Sequence, residues 1–392
     1  MESVVNLDSY HHICATRVKI WLIVLTLTSS TSCVSASEKT SPLITFQHEI
    51  ELGSLKEKSS NVSAGDLNGD GHLDVLVAKG RHWPLSNSIF IGDGNGGFSE
   101  PEKLDDTPDR SYSAVLFDLD GDRDLDVVVS NDRPDPTKVY FNDGSGQFSA
   151  VGVLGKEKWP TRNIYVGYID IDKYPDVLIA NRSKKGSSTY VCYGEAGGLF
   201  EKKCNSIARG PATTSISVDL DKDGCKDIIV PHRDQGQSYA YLCTGNRVFD
   251  KKIAFGDTSM AIRSVVAGDF DGDGNIDISI IDDSRGPAVL WGADKQLFSS
   301  PQWLESEIEK PNALAQFDIN DDGLIDIVVG YRKAQPKVFF NRGGKQFTSV
   351  PFGDDEGVLY GFAFGDFNED SVIDIAVARS GATDVVYLGE HK

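Results

Sequence analysis

One phrase recurs seven times along the 392 residues of this chain, and a repeat of that kind constrains the fold more tightly than any composition. Six copies carry oxygen-bearing side chains at their first, third, fifth and ninth positions. They are Asp66, Asn68, Asp70 and Asp74; Asp118, Asp120, Asp122 and Asp126; Asp219, Asp221, Asp223 and Asp227; Asp269, Asp271, Asp273 and Asp277; Asp318, Asn320, Asp322 and Asp326; and Asp366, Asn368, Asp370 and Asp374. A seventh copy, Asp170, Asp172 and Asp176 with Pro175 inside it, reads as shortened by two residues. Taken from Asp170 in that copy, the first aspartates follow one another at 48 to 52 residues.

Around each acidic phrase the sequence spells four short strands. A stretch of small apolar residues precedes it, as in Ser264-Val265-Val266-Ala267-Gly268, and a wholly apolar run follows, as in Asp126-Val127-Val128-Val129. A third segment carries aromatics, as in Val338-Phe339-Phe340, and a Gly/Asn/Asp turn leads to a fourth that opens with Phe. About 50 residues with four strands is one blade of a β-propeller. The fold expected is therefore all-β, a seven-bladed propeller over residues 43–390.

The fourth-strand phenylalanines give a second count: Phe98, Phe148, Phe200, Phe249, Phe298 and Phe347 follow the acidic phrases, and the last unit stops after its third strand. The missing copy stands at the front, where Phe46 lies 52 residues before Phe98. The N-terminal strand is thus expected to complete the last blade, because an open array would leave two raw sheet edges.

Carboxylates at such density need a cation, since three or four of them within a few ångströms repel strongly. Hard oxygens at positions 1, 3, 5 and 9, with a backbone carbonyl available at position 7, suit Ca²⁺. Glycine at position 6 allows the left-handed turn that curls the loop. An EF-hand would require Glu at position 12, where Val77, Val129, Val230 and Ile280 stand instead. About six calcium sites are expected, with the third copy empty. Arg123 and Ser371 occupy the glycine position of the second and last copies.

From Phe46 to Leu388 the units resemble the FG-GAP or VCBS repeats found in the propeller of integrin α-subunits and in secreted bacterial proteins. The resemblance implies calcium in hairpin loops on one face and ligand binding on the other. The Phe-Gly and Gly-Ala-Pro phrases of integrins are poorly kept, so only architecture and calcium sites carry over.

A net charge of −20 speaks against nucleic-acid binding. Six bound calcium ions would bring it to about −8. Residues 1–36 read as an export signal: Arg17 and Lys19, the apolar run from Ile20 to Leu27, then Val34-Ser35-Ala36. The run is too short to span a membrane, and Cys33 leaves a lipid anchor open. The expectation is a secreted, periplasmic or surface-held monomer. Cys192, Cys204, Cys225 and Cys243 suggest two disulfides, with three connectivities open and Cys225–Cys243 the most feasible.

Alternating strand direction puts the second-to-third loops and the blade connections on the rim opposite the acidic loops. An arginine follows each second strand there: Arg81, Arg133, Arg182, Arg233, Arg285, Arg332 and Arg379. Lys58, Arg110, Arg162 and Lys310 stand eight residues before their acidic phrases, and His82, Trp83, Trp159, His232, Tyr239 and Tyr331 share these loops. Arginine forks beside aromatic platforms suit an anionic polysaccharide or glycan. The expected ligand contacts are Arg81, His82, Trp83, Arg133, Arg162, Arg182, His232, Arg233 and Arg332. Alternatively the arginines pair with Asp132, Asp135, Asp234, Asp282 and Asp283 and merely tie blades together. Some secreted propellers that resemble this chain are polysaccharide lyases, in which His82, His232 and Tyr239 would move protons while Arg81 and Arg233 neutralise a uronate. A third reading is a protein-interaction module of the cell envelope.

Overall fold

A computed structural model describes residues 44–182, 187–293, 297–307 and 309–392. The described residues form seven four-stranded antiparallel sheets and two short two-stranded ribbons. Innermost strands begin at Ser59, Ser111, Thr161, Ile216, Ile262, Pro311 and Val358, opening blades 1 to 7. Ile44–Leu52 pairs with Asp384–His391, so the first strand is the outermost strand of blade 7, as the phenylalanine count requires.

The apolar second strands explain where the core sits. Val75, Leu76, Val77 and Ala78, like Val127, Val128 and Val129, are fully buried because each strand is covered on both faces by neighbouring blades. The core is accordingly seven clusters, one between each pair of adjacent blades. Closure creates one of them: Val62, Val75 and Phe90 of blade 1 pack against Leu52, Ala363, Phe367, Ala376 and Val386 of blade 7 across the seam. The small residues of the inner strands serve the same packing. A Cβ on Gly65 would lie 2.5 Å from Leu125 Cδ1 of the next blade.

The fourth-strand phenylalanines open their strands only in blades 2 and 6, at Phe148–Leu154 and Phe347–Pro351. In blades 3 and 5 Phe200 and Phe298 instead close the small ribbons, and the outer strands follow at Asn205–Arg209 and Gln302–Trp303. Two disulfides form, Cys192–Cys204 in blade 3 and Cys225–Cys243 in blade 4. No helix of the described residues is long and apolar enough to cross a membrane. The export signal and Cys33 lie outside the described residues.

Candidate functional site

The acidic phrases are the hairpins between first and second strands, and their backbone dictates how the carboxylates gather. In six of them the N–H of position 6 donates to the position-1 carboxylate, from Gly71 to Asp66, Arg123 to Asp118, Gly224 to Asp219, Gly274 to Asp269, Gly323 to Asp318 and Ser371 to Asp366. The N–H of position 7 donates likewise to position 5, as from His72 to Asp70. Arg123 and Ser371 hold φ of 83° and 70°, the same left-handed turn as the glycines they replace, so the loop path survives both departures.

The acids at position 9 make a contact that the sequence reading did not give them. Asp74 is fully buried and accepts from Leu67 N at 2.8 Å and Gly92 N at 2.9 Å, clasping the loop, the second strand and the end of the third. Asp126, Asp227, Asp277, Asp326 and Asp374 repeat the clasp, and so does Asp176. Positions 1, 3 and 5 remain at the rim. Ligand oxygens of Asp118, Asp120 and Asp122, of Asp219, Asp221 and Asp227, and of Asp269, Asp271 and Asp273 come within 4.8 Å of one another, an all-oxygen donor set that fits a hard divalent cation. A lysine of the next blade also reaches one of these sets, with Lys345 Nζ 3.0 Å from Asp271.

The third loop corrects the sequence reading. The clasp of Ile169 N to Asp176, and the pairing of Gly167 with Asp176, align it residue for residue with Gly65–Asp74. It is full-length, and Tyr168 stands at position 1. None of its residues adopts the left-handed turn. Arg247, from the last hairpin of blade 4, lies among its acids: Nε is 2.5 Å from Asp170, Nη1 2.6 Å from Glu201 and Nη2 3.4 Å from Asp172, with the guanidinium 4.1 Å from the Tyr193 ring. A side-chain cation occupies the middle of this carboxylate group. Burial pushes the Asp176 carboxyl up to about 6.

The same realignment moves Arg162. It is the second residue of the strand Thr161–Gly167, not part of a blade connection, and its place in that connection belongs to Pro160. In most blades one residue near the start of the inner strand, the second or in blade 7 the third, is skipped in the pairing: Ser60, Tyr112, Arg162, Arg263, Asn312 and Tyr360. Side chains of this series meet residues that follow the second strands, and two arcs result.

In the first arc, Arg81 sits with its guanidinium 3.9 Å from the Tyr360 ring and 6.0 Å from Tyr112, on whose ring Arg162 lies at 4.3 Å. Arg162 pairs with Asp132 at 2.9 Å. Arg81 makes no ion pair among the described residues, and its buried Nε has no hydrogen-bond partner. The Tyr112 hydroxyl is 3.0 Å from His82 Nε2. Burial, helped by Arg162 and Arg81, lowers the pKa of His82, and burial raises that of Tyr112. Trp83 is exposed beside Lys58, whose Nζ is 6.0 Å from the ring. In the second arc Arg233, Arg263 and Arg332 surround Asp283.

The seven arginines after the second strands therefore do not form one ring. Only Arg182, Arg233 and Arg332 share an equivalent position, each donating its backbone N–H to the connection before its own inner strand. Arg182 pairs with Asp234 of the next blade, as the blade-tying alternative expects, Arg110 with Asp135 within its own blade, and Arg285 with Asp257, an acid that alternative did not name. Arg379 is buried within blade 7 against Asp354, and Tyr331 is wholly buried; neither can meet a ligand. Trp159 stacks on Tyr190 at 4.1 Å, away from both arcs. Arg133 is exposed and makes no ion pair among the described residues. His232 does not correspond to His82: it lies against Gly210 and Gly236, its Nδ1 lacks a partner, and no hydrogen bond joins it to Tyr239, which carries Lys252 over its ring. Tyr112, Tyr360, Arg263 and Arg247 escaped the sequence reading. An alignment of the third unit from its ninth position backwards would have exposed the first three.

Seven four-stranded blades, acidic hairpins on one rim and arginine–tyrosine arcs on the other define a closed β-propeller of repeated acidic-loop units. The FG-GAP-like repeat family matches residues 66–129, 118–179, 219–280 and 318–377, more than half of the chain, and the protein belongs to that family. No curated protein matches the sequence. Among solved structures, two of BBS1N in complex with ARL6DN, one soaked with mercury and one with lead, match with TM-scores of 0.61 and 0.59 at 12% and 14% identity. Each covers 88% of this chain and 97% of that chain. At such identity the likeness concerns the fold alone.

Proposed function

We propose that this is an exported, calcium-stabilised propeller that captures an anionic polysaccharide or surface glycan on the rim opposite its acidic loops. The observation that carries the reading is Arg81, a guanidinium held between tyrosine rings without a carboxylate. Nearby Trp83 offers an exposed face for a sugar ring, and a desolvated guanidinium next to aromatic rings is well placed to grip a carboxylate or sulfate. Export is supported by the two disulfides, which persist in oxidising compartments. Calcium is supported by the oxygen-only donor sets of Asp66, Asn68 and Asp70 and their five counterparts. When bound, the ion would neutralise carboxylates that otherwise repel, and it would pin the hairpins that set the blades' spacing.

A glycan array probed with and without chelator, then repeated with Arg81→Ala, tests the reading. Saturable binding that weakens with salt and falls at least tenfold in the variant is expected. Undiminished binding in Arg81→Ala overturns it.

A second reading, a uronate lyase, has one specific support. His82 is kept neutral and Tyr112 protonated, the states a base and an acid need, and Arg81 stands beside them to neutralise a carboxylate. In that reading Tyr112 takes the part expected of Tyr239. Accumulation of an unsaturated, ultraviolet-absorbing product on uronate polymers, abolished by His82→Ala, is its test. A protein-interaction module is the third reading, in keeping with a propeller fold that is found in complex with a partner in BBS1N; capture of an envelope protein in place of any glycan would favour it.

A further inference from the structure

The second arc carries more charge than its surroundings balance. Asp283 accepts Arg233 Nη2 at 2.5 Å through Oδ2 and Arg263 Nε at 3.2 Å through Oδ1, and Arg332 Nη2 stands 4.0 Å from the same Oδ1. Three guanidinium groups share one carboxylate, which leaves two uncompensated positive charges. Arg233 and Arg263 are largely shielded from water, at 7% and 17% side-chain exposure, whereas Arg332 and Asp283 are more open at 37% and 30%. Water therefore cannot solvate the surplus well, and no other acid among the described residues pairs with these three. Burial, together with Arg233 and Arg332, pushes Arg263 down to about 10, which still leaves it charged at neutral pH.

The three cations come from three blades, and the segments that hold Arg233, Asp283 and Arg332 are fixed independently. Arg233 N donates to Pro211 O in blade 4, Asp283 N to Ala261 O in blade 5, and Arg332 N to Lys310 O in blade 6. Arg332 is steadied further by Asn312, 3.3 Å from its Nε, and Asn312 in turn donates to Leu359 O at 2.6 Å. Such a cluster is preorganised: its like charges are held together by the ring, not by one another.

We infer that Arg233, Arg263 and Arg332, arranged around Asp283, form a subsite for a doubly charged tetrahedral oxyanion, the phosphate monoester of a larger ligand. The inference rests on the anionic-ligand reading and adds to it a second contact point, in blades 4 to 6, apart from Arg81. Charge selects the class. A dianion would cancel the surplus of two, and a tetrahedral group presents oxygens in enough directions for forks from three blades. Asp283 repels such a ligand, so it sets the affinity below what three arginines alone would give.

The test uses the full protein in calcium, with methyl phosphate and the singly charged methyl sulfate as separate probes at constant ionic strength, read by calorimetry and by thermal shift. Saturable binding of methyl phosphate is expected, tighter than that of methyl sulfate, and equal or tighter binding of methyl sulfate overturns the charge assignment. Arg263→Met, which keeps the stem and removes the charge, should weaken binding at least tenfold. Asp283→Asn should tighten it severalfold, an outcome a merely structural ion pair would not produce. Heat and shift equal to those of chloride, or an unchanged affinity in Arg263→Met, overturns the inference. Arg81→Ala separates the two claims. Loss of glycan binding in Arg81→Ala, with methyl phosphate affinity indifferent to Arg263→Met, would keep the glycan reading and sink the subsite.

Discussion

The third hairpin and its six counterparts occupy the same place in the blade and satisfy their carboxylates by different means. In blades 1, 2, 4, 5, 6 and 7 the loop turns through left-handed residues at position 6 and collects acids that lack enough cations of the protein's own. In blade 3 Tyr168 removes the first acid, Pro175 stiffens the loop, and Arg247 supplies a charge from the neighbouring blade. A guanidinium on a strand hairpin is a permanent partner, whereas an ion is exchangeable. In the proposed reading, the same fold thus contains one joint that is independent of solution cations and six that depend on them.

Chelation is the strongest way to break this comparison. Removing calcium should lower the melting temperature by many degrees, since each site filled at about a hundredfold over its Kd adds about 2.7 kcal/mol. Hydrogen exchange should loosen at Asp118–Asp126 and its counterparts and leave Tyr168–Asp176 protected. A melting curve indifferent to EDTA would remove the distinction altogether. Arg247→Ala probes the other side. It strips Asp170, Asp172 and Glu201 of their shared partner and should cost roughly 2–3 kcal/mol in urea unfolding, below the full value for a buried pair because the guanidinium is partly solvated. A variant as stable as the wild type would show that the guanidinium is not what satisfies this loop's acids.

Acid sharpens the contrast. Burial raises Asp176 to about 6 from 3.8, so the folded protein holds a proton there that the unfolded chain has released. Its contribution to stability is therefore greatest below about 4 and is lost as pH rises through 6. Comparing wild type with Asp176→Asn at pH 4.5 and 6.5 should reveal roughly 1–2 kcal/mol of this dependence; parallel pH profiles would contradict it. The smallest effect expected is Arg123→Gly, which relieves a left-handed arginine and should stabilise the second hairpin by about 1 kcal/mol in calcium.

The number of blades, the closing strand and the acidic rim were legible because each is written repeatedly. Asp74 and its six equivalents recur at the start of an apolar strand, and Phe46 stands one unit ahead of Phe98. Less legible was the third unit. Counting from its first aspartate, Asp170, rather than from Asp176, shifted the register by two and carried Arg162 out of its strand. The clasp made by the ninth-position acids was hidden too, because a carboxylate that holds backbone N–H groups and one suited to a metal are spelled alike.

By itself the chain sequence determined a ring of seven sheets, since a strand apolar on both faces can be buried only between two neighbours and the unit that supplies them is copied seven times. Which cations meet which anions was decided by tertiary structure alone. Arg247 reaches Asp170 across 77 positions, and Arg81 meets Tyr360 from the far end of the chain, because the curvature of the closed ring brings blade 4 beside blade 3 and blade 7 beside blade 1. Pairing of charges follows distance in space, and only closure sets those distances.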